Sequence, residues 1–400
     1  KIDMQENQLT FGVHDPTIIE KSGNYYLFST DTGQPKTSGV PIRWSQNLRD
    51  WNFIGQALLE VPRAAKEWSN ALGLWAPEIV CIGNEYRMYY SSSTFGSTHS
   101  YIGLATAQTP LGPFEDRGLV VKTSPVLCHH NAIDANVVTD KTGKQWLLYG
   151  SFFGGLYILP LDKKTGKPSE SGFGKCIARR PESVDTAIEG GFIYYNPKTD
   201  YYYLFCSYDS LNDSYNIRVA RSRHVDGPYT DCKGYAMDDF GNLPDDIGMK
   251  VLGSYHFSGE KAIFAPGHNS IFKRSDNQLF MVHHARRKVF SDEFFLNIRK
   301  LEWLSNGWPV VSPCLYEEAC EQKTVELAGK WHVIYFDETN GLQESRLEMI
   351  EDKDYQKISD NEFCWQENLV KTWLEMVNGK PQQVFSGMTS KGYGIIARKF

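Results

Sequence analysis

Five short motifs are spread along most of the chain, and each contains one residue at a corresponding place. These marker residues are Asp15 in HDPT, Ala76 in WAPE, Asp134 in NAIDAN, Glu189 in IEGG and His268 in PGHNS. Successive markers are 61, 58, 55 and 79 residues apart, so the spacing is nearly regular until the last step. A single Asp in such a motif is usually a turn or cap residue. Three carboxylates at corresponding places of a repeat indicate a function instead.

Three carboxylates in one place can carry out acid–base cleavage of a glycosidic bond. This reaction needs one carboxyl group that stays protonated and one that stays ionised, and burial with mutual repulsion separates their pKa values in this way. A third carboxylate can orient the acid or adjust its pKa. The alternative is a metal site, because Asp, Glu and His also bind cations. Only one imidazole stands among the markers, which favours acid–base chemistry over purely metal-based chemistry.

The segments around the markers repeat a β-hairpin plan. Each runs from the marker through an apolar strand and a turn into a Tyr- or Trp-rich strand that ends in small polar residues, as in HDPTIIEKSGNYYLFST and WAPEIVCIGNEYRMYYSS. The Gly-Asn, Thr-Gly and Lys-Thr-Asp turns are typical of hairpins. A second, looser pair of strands follows each hairpin; in the fourth unit this pair is YNIRVARSRHVDGPYTD. Each unit therefore supplies about four strands, which is one blade of a β-propeller.

The repeat predicts an all-β protein with two domains. Residues 1–318 are predicted to form a five-bladed β-propeller, and residues 319–400 a small β-sandwich or β-barrel. Because the first strand of each blade lines the propeller axis, we expect the markers to converge at one end of the channel. The long step before His268 contains a loop-rich insertion at about 233–263. The C-terminal domain has no cluster of polar residues that suggests catalysis, which favours a structural or carbohydrate-contacting role.

Composition limits the partners and the location. The formal net charge is −6 and there is no basic stripe, so a nucleic-acid partner is not expected. No apolar run has the length of a membrane span. The chain begins KIDMQENQLT, and we interpret it as the mature form of an exported protein (secreted, at the cell surface or periplasmic) whose signal peptide is missing from the sequence. We expect a monomer.

The eight cysteines show no metal-ligand spacing and no CxxC pair. Cys81 and Cys206 lie in apolar strand-like runs, so both are predicted to be buried free thiols. The cysteines therefore do not decide the compartment.

The five motifs, in this order and with the closing segment LNIRKLEWLSNGWPVVSP, resemble glycoside hydrolase family 43, in particular its endo-arabinanases with a C-terminal β-barrel. The resemblance covers about residues 10–315. It implies inverting hydrolysis of the α-1,5-linked L-arabinofuranosyl bonds of arabinan. Asp15 then corresponds to the general base, Glu189 to the general acid, and Asp134 to the residue that raises the pKa of the acid. His268 corresponds to a histidine that helps to hold calcium or another hydrated cation on the propeller axis; the alternative for it is a core imidazole bonded to backbone.

Four further residues are candidates for sugar binding. Trp75, beside the Ala-Pro-Glu turn, is a candidate platform for the central sugar, and Phe95 is a second candidate for the same task. Asn131 and Ser151 flank the hairpin of Asp134 and could bond sugar hydroxyls. The alternatives are core packing for the aromatic residues and turn formation for the polar ones.

Other functions fit parts of this pattern. The α-L-arabinofuranosidases and β-xylosidases of the same family share the three carboxylates; a pocket closed at one end would mean exo action, and an open cleft endo action. Fructan hydrolases use a nucleophilic Asp in an NDPNG-type segment, which HDPTIIEKSG lacks. A non-catalytic sugar-binding propeller would have lost at least one of the three carboxylates, and this chain retains all three.

Overall fold

A computed structural model describes residues 9–400, so the first eight residues, where the predicted first domain begins, lie outside the described residues. Between residues 17 and 311 the chain forms five sheets, each of four antiparallel strands that are neighbours in both sequence and sheet. These sheets are the five blades of a β-propeller, as predicted.

The strands are numbered in chain order. Blade 1 contains β1 (Thr17–Lys21), β2 (Asn24–Phe28), β3 (Pro41–Ser45) and β4 (Asn52–Gln56). Blade 2 contains β5 (Trp75–Ile82), β6 (Glu85–Ser92), β7 (Ser100–Ala107) and β8 (Glu115–Thr123). Blade 3 contains β9 (Asn136–Thr139), β10 (Gln145–Tyr149), β11 (Leu156–Leu161) and β12 (Lys175–Ala178). Blade 4 contains β13 (Ile188–Asn196), β14 (Tyr201–Tyr208), β15 (Asn216–Ser222) and β16 (Met249–Leu252). After the short β17 (Tyr255–His256), blade 5 contains β18 (Phe264–Lys273), β19 (Leu279–Arg286), β20 (Phe294–Trp303) and β21 (Pro309–Val311).

The first hairpin shows how the sequence produces a blade. β1 and β2 are antiparallel with Lys21 opposite Asn24, and the two residues between them, Ser22 and Gly23, have φ angles of 52° and 77°. Two successive residues with positive φ are typical of the type I′ turn, whose twist matches that of the strands. Leu27 of β2 is then fully buried in a cluster that includes residues of blade 5. Neighbouring blades therefore pack through the apolar faces of their strands.

The outer strand of blade 4 differs from the prediction. The sequence places the last strand of this blade before Asp231, but Thr230 makes only isolated bridges, to Arg221 and Ala236. The fourth strand is instead β16, inside the stretch predicted to be a loop-rich insertion. The prediction is wrong because the four residues MKVL carry no turn or alternation signal of their own; their pairing partner is β15.

The C-terminal domain is a single curled antiparallel sheet, not two stacked sheets. A short β23 (Gln343–Glu344) pairs in parallel with β17 of the propeller. The sheet itself contains β22 (Gly329–Tyr335), β24 (Arg346–Ile350), β25 (Tyr355–Lys357), β26 (Glu362–Trp365), β27 (Asn368–Val377), β28 (Lys380–Met388) and β29 (Gly394–Lys399). Its strand order is β24-β22-β29-β28-β27-β26-β25.

Polar and apolar contacts hold this domain against blades 4 and 5. Lys250 of β16 donates from Nζ to the carbonyl oxygens of Asp337 (3.1 Å) and Thr339 (2.7 Å). Arg398 of β29 donates to the carbonyl oxygen of Pro313 at 2.8 Å. One apolar cluster contains residues of both domains.

Helices are few. The α-helix α1 spans Arg63–Ser69, and 3₁₀ turns occur at Glu182–Val184, Pro244–Asp246 and Asp352–Asp354. Among residues 9–400, no helix has the length and apolar character required to cross a bilayer.

The two cysteine predictions have different outcomes. Cys206 of β14 is fully buried, as predicted. Cys81 is exposed, and this prediction is wrong. It lies beside the hairpin turn at the end of β5, where its Sγ is 3.4 Å from the carbonyl oxygen of Gly83, so solvent reaches a position that the apolar sequence suggests is interior.

Candidate active site

The first strand of each blade starts near a residue with left-handed backbone. In blade order these residues are Asp15, Ala76, Asp134, Gly190 and Ala265, with φ between 34° and 64°. This conformation costs an L-residue roughly 1–2 kcal/mol, so surrounding contacts must hold it in place. Glu189 precedes the left-handed residue of its blade by one position and His268 follows its own by three. Bulges in β13 and β18 accompany these offsets, so the five markers correspond less closely than their motifs suggest.

His268 brings two of the predicted catalytic carboxylates together. Its Nδ1 is 3.3 Å from Oδ1 of Asp15 and 3.8 Å from Oδ2 of Asp134. The ring packs against Gly190, where a Cβ atom would lie only 2.9 Å from Cγ of His268. Gly190, the first glycine of IEGG, must therefore be glycine for the ring to pack here. Gly191, the second, does not take part in this contact. Residues of blades 1, 3, 4 and 5 therefore meet at one end of the channel.

Polar residues at the ends of the second strands hold the backbone of the next blade. The backbone N–H at the start of an inner strand lies outside the pairing of its own sheet and needs another acceptor. Three such bonds are Ala76 N to Thr30 Oγ1 (2.8 Å), Asp134 N to Ser91 Oγ (3.0 Å) and Asp15 N to His284 Nδ1 (3.1 Å). The small polar residues that close each hairpin sequence are therefore part of the site.

Both carboxylate oxygens of Glu189 accept hydrogen bonds. Ser151 Oγ donates to Oε1 at 2.7 Å, and the hydroxyl of Tyr215 donates to Oε2. Burial raises the pKa of Glu189 above its ordinary value, while these two hydrogen bonds act in the opposite direction. The negative charge of Asp15 also raises this pKa, and His268 lowers it. The net shift is upward, which suits a proton donor.

Asp134 is the second buried carboxyl of the pair. Its pKa lies well above its ordinary value because of burial first, then the charge of Glu189 and then that of Asp15. Its Oδ2 accepts the backbone N–H of Gly190 at 3.1 Å, so it is tied to the residue that follows Glu189. The two carboxyls repel each other as anions and titrate as a pair. The pair consequently retains a proton to higher pH than isolated carboxyls do.

Asp15 has a different set of neighbours. Thr30 Oγ1 donates to its Oδ2 at 2.6 Å, and its side chain is 16% exposed, against 6% for Asp134. The positively charged Arg286 lies close enough to interact with the Asp15 carboxylate. Asp15 therefore has a hydroxyl donor and a cation among its neighbours, in addition to the other two carboxyls.

Two histidines and an arginine form a layer next to Asp15, and the sequence analysis does not predict a role for them. His14 and His284 stack with ring centroids 4.1 Å apart, and Arg286 Nη1 is 3.0 Å from Nε2 of His14. Burial lowers the pKa of His14 to about 4 and that of His284 well below its ordinary value, so both rings are neutral near pH 7. Two features of the sequence could have indicated this layer. His14 directly precedes Asp15 in HDPT, and His284 and Arg286 lie in the run HHARR.

Tyr215 is a further residue of the site that the sequence does not predict. It lies just before β15, and its ring packs so closely on Gly267 that a Cβ atom there would be 2.3 Å from it. Nothing in SYNIRVARS distinguishes this tyrosine from the other 21 in the chain. Its role follows only from its contact with Glu189.

The four predicted sugar-binding residues have unlike positions. Trp75 is half-buried at the start of β5, opposite Ser91, and Phe95 is 90% exposed on the loop between β6 and β7 at the catalytic end. Ser151 already donates to Glu189, so its first partner is the acid. Asn131 is buried, and its Oδ1 is enclosed without a hydrogen-bond partner in the described part of the chain. All four assignments to sugar binding stay predictions.

The predicted cation can be tested against the available donors. Within residues 9–400, no three His, Cys, Asp or Glu side chains form a group suited to holding a metal ion directly. His268 therefore offers a single imidazole beside two carboxylates, and a cation held there would take its other ligands from water. These residues fit a hydrated ion and not a coordination shell built by the protein.

Comparisons with known proteins show the family of the chain. The family model "Glycosyl hydrolases family 43" matches residues 9–309. Extracellular endo-alpha-(1->5)-L-arabinanase 2 of Bacillus subtilis (strain 168) is 33% identical over 356 residues, covering 80% of this chain and 75% of the relative. Extracellular exo-alpha-(1->5)-L-arabinofuranosidase ArbA of Cellvibrio japonicus (strain Ueda107) is 33% identical over 318 residues, covering 75% of this chain and 86% of the relative.

The likeness extends to a solved structure that includes both domains. The crystal structure of the glycoside hydrolase family 43 YxiA protein from Bacillus licheniformis has a TM-score of 0.86 and 27% sequence identity, covering 98% of this chain and 99% of that one. The chain is a glycoside hydrolase that belongs to family 43.

Proposed function

We propose that the protein hydrolyses the α-1,5-linked L-arabinofuranosyl bonds of arabinan with inversion of the anomeric centre. The observation that carries this proposal is the meeting of Asp15, Asp134 and Glu189 around His268. It is supported by 33% identity, over 80% of the chain, to a protein named as an endo-arabinanase.

The two sides of the site have complementary tasks in this mechanism. Asp15, as an ionised carboxylate, takes a proton from water while the water oxygen attacks the anomeric carbon. Glu189 gives its proton to the leaving glycosidic oxygen as that bond breaks. Asp134 and Glu189 repel each other as anions, so the pair retains a proton to higher pH, and the proposed mechanism places this proton on Glu189. An inverting enzyme needs about 6.5–9.5 Å between base and acid, so that water fits between the base and the sugar.

Aromatic and polar side chains at the same end would bind the sugar. Trp75 and Phe95 offer ring faces for furanose stacking, and the high exposure of Phe95 is consistent with a contact to an extended chain. Ser151 would position Glu189 and meet a sugar hydroxyl only in addition. Asn131 could bond a sugar hydroxyl through Oδ1 only after a rearrangement that exposes this enclosed atom.

A hydrated cation, calcium or another, is proposed at His268. Three carboxylates in one pocket repel each other, and a cation would supply compensating positive charge. Chelation should then lower the melting temperature of the wild-type protein, and added calcium should restore it. An unchanged melting temperature, together with no calcium binding in titration calorimetry, would remove the cation from the proposal.

Exo action is the second candidate, because one relative of equal identity is named as an exo-acting arabinofuranosidase. We further propose that the protein is exported, since both relatives are named extracellular. We also propose that it is a monomer. None of these proposals changes the chemistry assigned to the three carboxylates.

One digestion series tests the function. Purified protein is incubated with linear arabinan, branched arabinan and xylan, products are separated by chromatography, and the first-formed anomer is followed by proton NMR. A ladder of arabino-oligosaccharides with inverted configuration is expected from linear arabinan. Release of a single short product would mean exo action, and release from xylan alone would mean a β-xylosidase. Retained configuration would reject Asp15 as a base, and no release from any polymer would favour a sugar-binding protein.

A further inference from the structure

One buried carboxylate of the propeller has no part in the mechanism described above. Glu78 lies in β5, two residues after Ala76, and its side chain is inside the molecule. Burial raises its pKa to about 7, so keeping a carboxyl group here has an electrostatic cost that some other benefit must offset.

The contacts of Glu78 reach both neighbouring blades. Oε1 accepts the hydroxyl of Thr17 of β1 at 3.2 Å. Oε2 accepts the amide of Asn136 at 2.7 Å and the backbone N–H of Val137 at 3.0 Å, both in β9. The carboxylate thus joins blades 1 and 3 through blade 2.

These partners stand in a regular relation to the catalytic residues. Thr17 is two residues after Asp15, and Asn136 is two residues after Asp134. Asn136 continues the connection, because its Oδ1 accepts the backbone N–H of Ile193 in β13, the strand of Glu189, at 2.9 Å. One layer below the catalytic groups, hydrogen bonds therefore link the strands of base, modulator and acid.

The inner strands depend on such bridges. Each is the inner edge of its own sheet and is not paired with the inner strand of the next blade. Below the site the axis is open, with a cavity of about 630 Å³ lined by Thr17, Glu78, Val137 and Phe192 among others. Because no backbone fills this space, the side-chain hydrogen bonds are the direct connections between these inner strands, in addition to the apolar packing between blades.

We propose that Glu78, by bridging Thr17 and Asn136, is a positioning residue that sets the separation of Asp15 from Asp134 and Glu189. This inference rests on the proposed function of those three residues. It explains why a four-fold hydrogen-bonded carboxylate, and not an apolar residue, occupies the place: Ile79 N–H is its fourth donor, at 3.2 Å. An apolar side chain would fill the volume and leave the inner strands unconnected.

Two pairs of variants separate bridging from mere stability. Glu78→Gln keeps the shape but turns an amide N–H₂ toward one of the donors, and Glu78→Asp keeps the charge but is one methylene too short to reach both blades. Both should lower kcat on a linear arabino-oligosaccharide by roughly 10- to 100-fold, with KM within about 2-fold, since small misplacements of reacting groups have effects of this size. Thr17→Val should lower kcat by about 3- to 10-fold, and Thr17→Ser, which restores the hydroxyl, should recover it.

Glu375→Gln is the matched control. Glu375 is a buried carboxylate of the C-terminal domain that accepts the indole N–H of Trp373 at 2.9 Å, far from the catalytic end. This variant should lose thermal stability with kcat unchanged. If Glu78→Gln behaves in the same way, the positioning role is rejected. If Glu78→Gln does not fold, equal kcat values for Thr17→Val and Thr17→Ser reject it instead. Wild-type protein that does not cleave arabinan would reject the proposed function rather than this inference.

Discussion

The two sides of the catalytic pocket are built from the same functional group in contrasting surroundings. On the side of blades 3 and 4, Asp134 and Glu189 are buried together, and burial is the first cause of the raised pKa of each. On the side of blades 1 and 5, Asp15 is more exposed and has the hydroxyl of Thr30 and the charge of Arg286 as partners. The proposed proton donor and the proposed proton acceptor therefore differ in environment and not in type.

Different blades therefore provide the contacts of the two proposed catalytic groups. Ser151 of blade 3 bonds the proposed acid and Asp134 of the same blade bonds the residue after it, whereas His284 of blade 5 bonds the backbone of the proposed base. Variants on the acid side should consequently move the alkaline limb of the pH–rate profile, where the acid loses its proton. They should move the acidic limb, where the base becomes protonated, by less, because the charge of Asp15 is among the smaller causes of the shifts on that side.

The largest effect is expected from Glu189→Gln. The amide keeps the shape of the side chain but cannot donate a proton to the leaving oxygen, so kcat on arabinan should fall by about 10²–10⁴-fold. An aryl arabinoside with a good leaving group should lose much less activity, because its leaving oxygen needs little protonation. Steady-state kinetics on both substrates measure the difference.

Glu182→Gln is a suitable control, since Glu182 is an exposed carboxylate in a 3₁₀ turn seven residues earlier. It should behave as wild type on both substrates. Equal losses on arabinan and on the aryl substrate in Glu189→Gln would mean that Glu189 is not the proton donor.

Asp134→Asn should have the next largest effect. Without the neighbouring negative charge, the pKa of Glu189 falls, so the alkaline limb should move to lower pH. The rate at the optimum should also fall, by about 10- to 100-fold, because less of the acid is protonated and its support is weakened. A pH–rate profile of kcat tests the shift. Movement of the limb to higher pH would contradict the assignment of Asp134.

The fold and the meeting of the three carboxylates could be predicted because both follow from a repeat. Asp15, Asp134 and Glu189 occur at nearly regular spacing in hairpin segments, and propeller geometry brings such positions together. The turn at Ser22–Gly23 is likewise a local property of the sequence. Local signals and a period are sufficient for these features.

The remaining features depend on contacts between blades that no local signal encodes. Tyr215 and Glu78 look like ordinary strand residues until the neighbouring blade is in place. β16 is too short to show a strand pattern in the sequence. A long loop separates it from β15, the strand with which it pairs. Cys81 follows the apolar pattern of its strand, yet lies at an exposed hairpin end.

The smallest effect, and the sharpest test of the comparison, is expected from Tyr215→Phe. The phenol donates to Oε2 of Glu189 and thereby lowers the pKa of this carboxyl, against the larger effect of burial. Removing the hydroxyl while keeping the ring, which packs on Gly267, should raise the pKa of Glu189. The alkaline limb should then move to higher pH, because this hydrogen bond favours the ionised form of Glu189.

At neutral pH the rate of Tyr215→Phe should change only about 2- to 5-fold, since the acid stays protonated. Tyr208→Phe serves as the control, because Tyr208 is also fully buried in blade 4 and its hydroxyl faces the sulfur of Met237 at 3.9 Å. That variant should leave both limbs in place. The shift in Tyr215→Phe is opposite in sign to the shift in Asp134→Asn, although both variants act on the same carboxyl. If both limbs move by the same amount in either variant, the acid side does not act mainly on Glu189, and the contrast between the two sides of the pocket is rejected.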